Sequence, residues 1–204
     1  MNYKSYSEKV VFLDRDGTIN IEKNYLYKTE DFQFVPGAPQ AIARLNTSGY
    51  KVIVITNQAG VARGYYTEAD VLRLNAYINH KLAAYKGHID DFYYCPHHPI
   101  AGVGKYKIEC NCRKPKIGLF LEAEEKYSID KNKSWMIGDN KGDILAGKKY
   151  GVRTILVRTG YGSQLEKEKF RQFDLISNDL TEAVFMLLER EGDSGQAEDY
   201  SDIR

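Results

Sequence analysis

The sequence has no long apolar run, no dominant charge and few cysteines, and each absence excludes something. No stretch approaches the roughly 20 apolar residues of a membrane-crossing helix. The N-terminal MNYKSYSEK has no apolar core and no small-residue cleavage site, so it does not read as a secretory signal. Basic side chains number 29 and acidic ones 28, giving a formal net charge of +1. That balance leaves no electrostatic footprint for nucleic acid or a membrane surface, and a small anionic ligand would have to be held by local charge. The expectation is a cytoplasmic monomer with no nucleic-acid or membrane partner. Three cysteines occur, Cys95, Cys110 and Cys112. In a reducing compartment clustered thiols read as metal ligands in preference to disulfides.

Short β-branched runs alternate with longer helical stretches. Strands are expected at Val10–Leu13, Lys51–Thr56, Phe92–Cys95, Ser134–Gly138 and Val152–Val157, with a short sixth at Asp174–Ile176. Helices are expected over Gly37–Asn46, Thr67–Tyr85, Ile117–Tyr127, Asp143–Tyr150 and Thr181–Glu189. Thr67 can cap the longest of these, and Val71, Leu74, Ile78 and Leu82 fall on one stripe. The alternation predicts an α/β fold, a Rossmann-like parallel sheet with helices on both faces. One domain over residues 1–190 is expected, followed by a polar tail, 191–204, that reads as disordered. In such sheets ligands bind beyond the carboxyl ends of the strands. Asp14, Asp16, Thr56, Asn57 and Asp139 fall at those ends, and Arg113 and Lys114 stand just before a helix.

FLDRDGT places Asp14 and Asp16 on a turn, and GDNKGD later supplies Asp139 and Asp143. Carboxylates this close repel, and a cation relieves them; their hard oxygens suit magnesium. Either segment alone could be a surface Asp-Gly turn. A helix–loop–helix calcium loop counted from Asp14 fails, because its sixth position is Ile19 and its twelfth Tyr25. With a cation and Lys114 offsetting the repulsion between anions, a carboxylate becomes a workable phosphoryl acceptor. A neighbouring acid could then protonate the leaving alkoxide and deprotonate water.

CPHHP and CNC provide a second metal set, Cys95, His97, Cys110 and Cys112, flanking a loop (95–112) with no core of its own. Four soft or borderline ligands in two tight pairs suit tetrahedral, structural zinc. Zinc there would aim Arg113, the residue after Cys112. Three unrelated cysteines and two proline-flanked histidines would be the plain alternative.

In order, FLDRDGTIN, VIVITNQ, CRKPKIG and MIGDNKGD resemble the four motifs of the haloacid dehalogenase-like phosphatases. The addition of TNQAGVARG, YYCPHHP, CRKP and VRTG is similar to the subfamily that unites heptose-bisphosphate and histidinol-phosphate phosphatases. The resemblance implies Asp14 as nucleophile and Asp16 as general acid and base, with Thr56 and Lys114 holding phosphoryl oxygens. It implies magnesium on Asp14, Asp139 and the backbone carbonyl of Asp16, with Asp143 orienting that shell. Substrate contacts are implied for Glu22, Lys23, Asn24 and Tyr25, for Thr56, Asn57, Gln58 and Ala59, and for Arg113 and Lys114. Asn140 stands where heptose phosphatases can carry lysine, so its contact is an open expectation. The implied architecture has no large cap domain. The implied activity is hydrolysis of a sugar bisphosphate, the 7-phosphate of a heptose, with histidinol phosphate as the alternative substrate. A non-catalytic zinc-binding module would account for the cysteines and leave the acids unexplained.

Overall fold

The computed structural model describes residues 7–190 and Gly192. The tail expected to be disordered, 191–204, lies outside the described residues apart from Gly192. The strands are β1 (Val10–Leu13), β2 (Lys51–Asn57), β3 (Asp91–Cys95), β4 (Trp135–Gly138), β5 (Arg153–Val157) and β6 (Leu175–Ser177). They form one parallel sheet in the order β3-β2-β1-β4-β5-β6. The sequence-derived strands agree with these to within a residue or so at each end.

The order in which strands are added reverses between β1 and β4. The first three strands spread one way from β1 and the last three the other. That switch point opens a crevice at the carboxyl ends of β1 and β4, where open α/β sheets bind ligands. Asp14 and Asp139 each follow directly on one of these two strands.

Residues alternate between the faces of each strand, so β1 supplies two cores. Val11 and Leu13 join Val52, Val54 and Ile137 against α1 (Ala38–Thr47), α3 (Glu68–Ala83) and α7 (Leu180–Arg190). Val10 and Phe12 join Ile53, Ile55 and Met136 against α4 (Gly118–Glu124) and α5 (Lys141–Tyr150). Burial on both faces explains why the strands read as continuous apolar runs without alternation.

Several helix ends differ from expectation. Gly37 is the cap of α1 and not its first residue, with φ of 78°. Helix α5 starts at Lys141 and not at Asp143. Asn140 accepts from the Gly142 N–H and the Asp143 carboxylate accepts from the Asn140 N–H, which closes a capping box ahead of Asp143. The same device starts α3: Thr67 caps it as the sequence suggests, and Asp70 completes the box by accepting from the Thr67 N–H. Two short helices escaped the periodicity argument, α2 (Ala59–Ala62) and α6 (Gly162–Lys167). Neither is long enough to show an amphipathic repeat. The connections between β1 and β2 and between β2 and β3 hold no inserted domain, so the carboxyl edge of the sheet is left open.

Candidate active site

The crevice is a cavity of about 550 Å³, and Asp14, Asp16, Thr56, Lys114, Asp139 and Asp143 are among its lining residues. Lys114 is the electrostatic centre. Its side chain is 1% exposed, and its Nζ lies 2.9 Å from Asp14 Oδ1 and 2.6 Å from Asp143 Oδ1. The third proton of Nζ is donated to the Ile55 carbonyl at 2.6 Å. Burial disfavours the ammonium, but the Asp14 and Asp143 charges outweigh it and hold the lysine above its ordinary range.

One ammonium does not balance the acids around it. Asp143 is pushed up to about 7 by burial and by the Asp14 charge, against the pull of Lys114. Burial also drives Asp139 well above the usual carboxylate range, and Asp143 and Asp14 add to the effect. One donor oxygen each from Asp14, Asp139 and Asp143 lies within 4.8 Å of the others. A cluster of hard oxygens that is short of positive charge is the donor set that fits magnesium.

Asp139 is held in place by the backbone around it. Gly17, with φ of +80°, and Gly160, with φ of +54°, press against it from two sides. A Cβ on either glycine would come within 2.3 Å and 2.0 Å, respectively, of Asp139 Oδ2. The Tyr161 N–H donates to that same oxygen at 2.8 Å. Thr159 Oγ1 donates to the Gly17 carbonyl at 2.6 Å, which ties the VRTG segment to the Asp14–Asp16 turn. VRTG is a recognisable motif in the sequence, but its role of seating Asp139 appears only in three dimensions.

Asp16 is anchored separately. Arg15, which stands between the two acids, is fully buried and donates to Asp16 Oδ2 at 2.9 Å. Gln58 Nε2 donates to the same oxygen at 2.9 Å and to Thr56 Oγ1 at 3.0 Å. Asn20 Nδ2 donates to Asp16 Oδ1 at 3.0 Å. Arg15 also donates to the Leu26 carbonyl and to Gln58 Oε1, which accepts from Tyr66 Oη too. Sequence reasoning missed Arg15, Asn20 and Tyr66. The one signal was a basic residue between two acids, which is as common on a surface.

The expected substrate residues sort unequally. Glu22, Asn24, Tyr25, Gln58, Ala59, Arg113 and Asn140 line the cavity. Burial, and then the Asp16 charge, raises the Glu22 carboxyl. Asn57 also lines it, but its amide is spent on the Lys114 backbone, donating to the carbonyl at 3.2 Å and accepting from the N–H at 3.0 Å. It positions Lys114. Lys23 does not reach the cavity. Its Nζ donates to the Asp31 carbonyl at 2.7 Å, because the turn through Asn24 and Tyr25 (φ 52° and 68°) directs it outward.

The three thiols and His97 converge beside this cavity. Sulfur–sulfur distances are 3.0, 3.2 and 3.5 Å, and His97 Nδ1 lies 3.4 Å from Cys112 Sγ. All three thiols are free. A tetrahedral zinc with bonds of about 2.3 Å would space its ligands by roughly 3.8 Å, so the set fits zinc after slight expansion. The following Arg113 donates to the His97 carbonyl at 3.3 Å.

The HAD-hydrolase-like family model matches residues 111–183. Fold and site together define a haloacid dehalogenase-like phosphatase, a phosphoric monoester hydrolase. The chain is 43% identical over 179 residues to D-glycero-β-D-manno-heptose-1,7-bisphosphate 7-phosphatase of Haemophilus ducreyi, covering 87% of this chain and 97% of that one. It is 44% identical over 154 residues to the enzyme of Photorhabdus laumondii named for the α anomer, covering 75% and 84%. The crystal structure of D,D-heptose 1,7-bisphosphate phosphatase from B. bronchiseptica, complexed with magnesium and phosphate, superposes with a TM-score of 0.79 at 31% identity, covering 89% of this chain and 99% of that one. The chain belongs to the D-glycero-D-manno-heptose-1,7-bisphosphate 7-phosphatase family.

Proposed function

We propose that the protein removes the 7-phosphate of D-glycero-D-manno-heptose 1,7-bisphosphate through a phosphoryl-enzyme intermediate on Asp14, in the synthesis of nucleotide-activated heptose. The observation that carries this reading is the polarity of the cavity. The buried Lys114, Asp139 and Asp143 share its lining with two less buried cations, Arg63 and Arg113. A substrate with phosphate at both ends matches that arrangement. Arg63 and Arg113 count against histidinol phosphate, whose free end carries an amine, whereas Glu22 and Tyr25 in the same lining count for it.

An Asp14 carboxylate oxygen attacks phosphorus, and the bond from phosphorus to the C7 oxygen breaks. Lys114 offsets the negative charge on nucleophile and phosphate as they approach. Asp16 gives its proton to the departing C7 oxygen. Water then attacks the phosphorus on Asp14 and yields its proton to Asp16, which releases inorganic phosphate and restores both acids. Asp14, the Asp16 backbone carbonyl and Asp139, with Asp143 behind them, would hold magnesium, which would supply further charge neutralisation. Thr56, buried beside Gln58, is the hydroxyl assigned to a phosphoryl oxygen. Cys95, His97, Cys110 and Cys112 would hold zinc, which would fix the loop that carries Arg113.

Phosphate release should be compared among both anomers of heptose 1,7-bisphosphate, fructose 1,6-bisphosphate and histidinol phosphate, with magnesium and with a chelator. Both anomers are needed, since relatives named for each match at 44% identity. The reading expects a heptose bisphosphate to be preferred, with activity lost in the chelator and in Asp14→Asn. Faster turnover of histidinol phosphate would overturn the substrate. Full activity in Asp14→Asn would overturn the covalent route.

A further inference from the structure

Arg63 follows the last residue of α2 and lines the same cavity as Asp14 and Arg113. Its guanidinium carbon lies 5.6 Å from the centre of the Tyr25 ring, the geometry of a cation resting on an aromatic face. Its Nε is buried without a hydrogen-bond partner, and the side chain forms no ion pair among the described residues. Native structures rarely leave a buried donor unpaired, and a binding site is one place where the missing partner is a ligand. Arg15 shows the contrast, for its guanidinium is consumed by Asp16, Gln58 and the Leu26 carbonyl.

Two further donors share the cavity wall. Arg113 uses NH1 on the His97 carbonyl, which leaves the rest of its fork free for a ligand. His98 Nδ1 accepts from the N–H groups of Ile100 at 3.2 Å and Ala101 at 2.9 Å. The neutral ring therefore carries its proton on Nε2 and can donate from there. The backbone locks these pieces together. Val103, in the loop between Cys95 and Cys110, donates to the Ala62 carbonyl at 2.8 Å, one residue before Arg63. The loop that aims Arg113 thus also fixes the base of Arg63.

We propose that Arg63 is a specificity-determining residue that binds the non-reacting phosphate of a sugar bisphosphate, together with Arg113 and the Nε2–H of His98. The inference rests on the bisphosphate reading above. Tyr25 supports the guanidinium face and leaves its edges for phosphate oxygens.

The test compares heptose 1,7-bisphosphate with heptose 7-phosphate, which lacks only the distal phosphate. Arg63→Met keeps the stem over Tyr25 and removes the fork; Arg63→Lys keeps the charge. The preference for the bisphosphate in kcat/KM should fall at least tenfold in Arg63→Met, chiefly through KM, and recover in part in Arg63→Lys. Inhibition by the product, heptose 1-phosphate, should weaken in step. A wild-type preference that survives Arg63→Met, because both substrates lose equally or neither loses, overturns the inference alone. A wild-type enzyme with no preference for the bisphosphate removes the reading beneath it as well.

Discussion

Replacing Lys114 by methionine tests the electrostatic account of the site most directly. The substitution conserves much of the stem and deletes the ammonium. It leaves Asp14 Oδ1, Asp143 Oδ1 and the Ile55 carbonyl without the donor that now lies 2.6–2.9 Å away. Removing one member of a buried ion pair costs about 3–5 kcal/mol, because the remaining charge stays buried and unpaired. In a domain of this size each kcal/mol shifts the melting temperature by roughly 2–4 °C, so a fall of about 10 °C is expected in magnesium-free buffer. Hydrolysis of p-nitrophenyl phosphate should fall about 10²–10³-fold, the usual loss when one electrostatic donor leaves a reacting centre. The companion Lys114→Met/Asp143→Asn removes one of the stranded charges. It should melt above the single variant while remaining equally inactive. A single variant that melts within about 2 °C of the wild type would refute the charge-deficit argument, and so would a double variant less stable than the single.

Asp16→Ala should lower kcat by about 10²–10⁴-fold, measured by phosphate release with magnesium; a loss under threefold would reduce Asp16 to a turn-shaping residue. The protein as purified should contain about one zinc per chain by elemental analysis, retained under mild EDTA treatment that abolishes activity, and zinc-free protein should melt at a lower temperature. The Glu68 carboxyl is held below its ordinary value, first by the Tyr106 hydroxyl and then, against some burial, by Tyr94. A carboxyl whose folded pKa is depressed stabilises above its unfolded pKa and loses that contribution as pH falls through the folded one. Protection of the residue 95–112 amides from hydrogen exchange should therefore weaken below about pH 4.5 in the wild type and lose that pH dependence in Glu68→Gln.

Much of this protein is local and could be read from the chain. The apolar runs of β1 and β2, the Thr67 cap, the Asp14–Asp16 turn and the C-x-C and C-x-H pairs each lie within a few residues. Their physics, backbone preference and ligand spacing, acts at that range. Resemblance pointed to the lysine of CRKP and the acids of GDNKGD, and alternation gave the parallel sheet. What only the tertiary structure decided depends on which distant segments meet. Strand order placed β4 beside β1, and so Asp139 against Gly17. Gly160 and Tyr161 then complete its seat from beyond β5. Asn57 was expected to face substrate, yet its amide is drawn to the Lys114 backbone that the sheet edge brings alongside. Arg15 reads as one more surface charge until folding buries it against Asp16 and Gln58. Arg63 follows a helix too short to show a pattern, and the burial that leaves its Nε without a partner appears only in the folded chain. A buried polar atom acquires its meaning from the partners it has or lacks, and those are settled by packing across the whole chain.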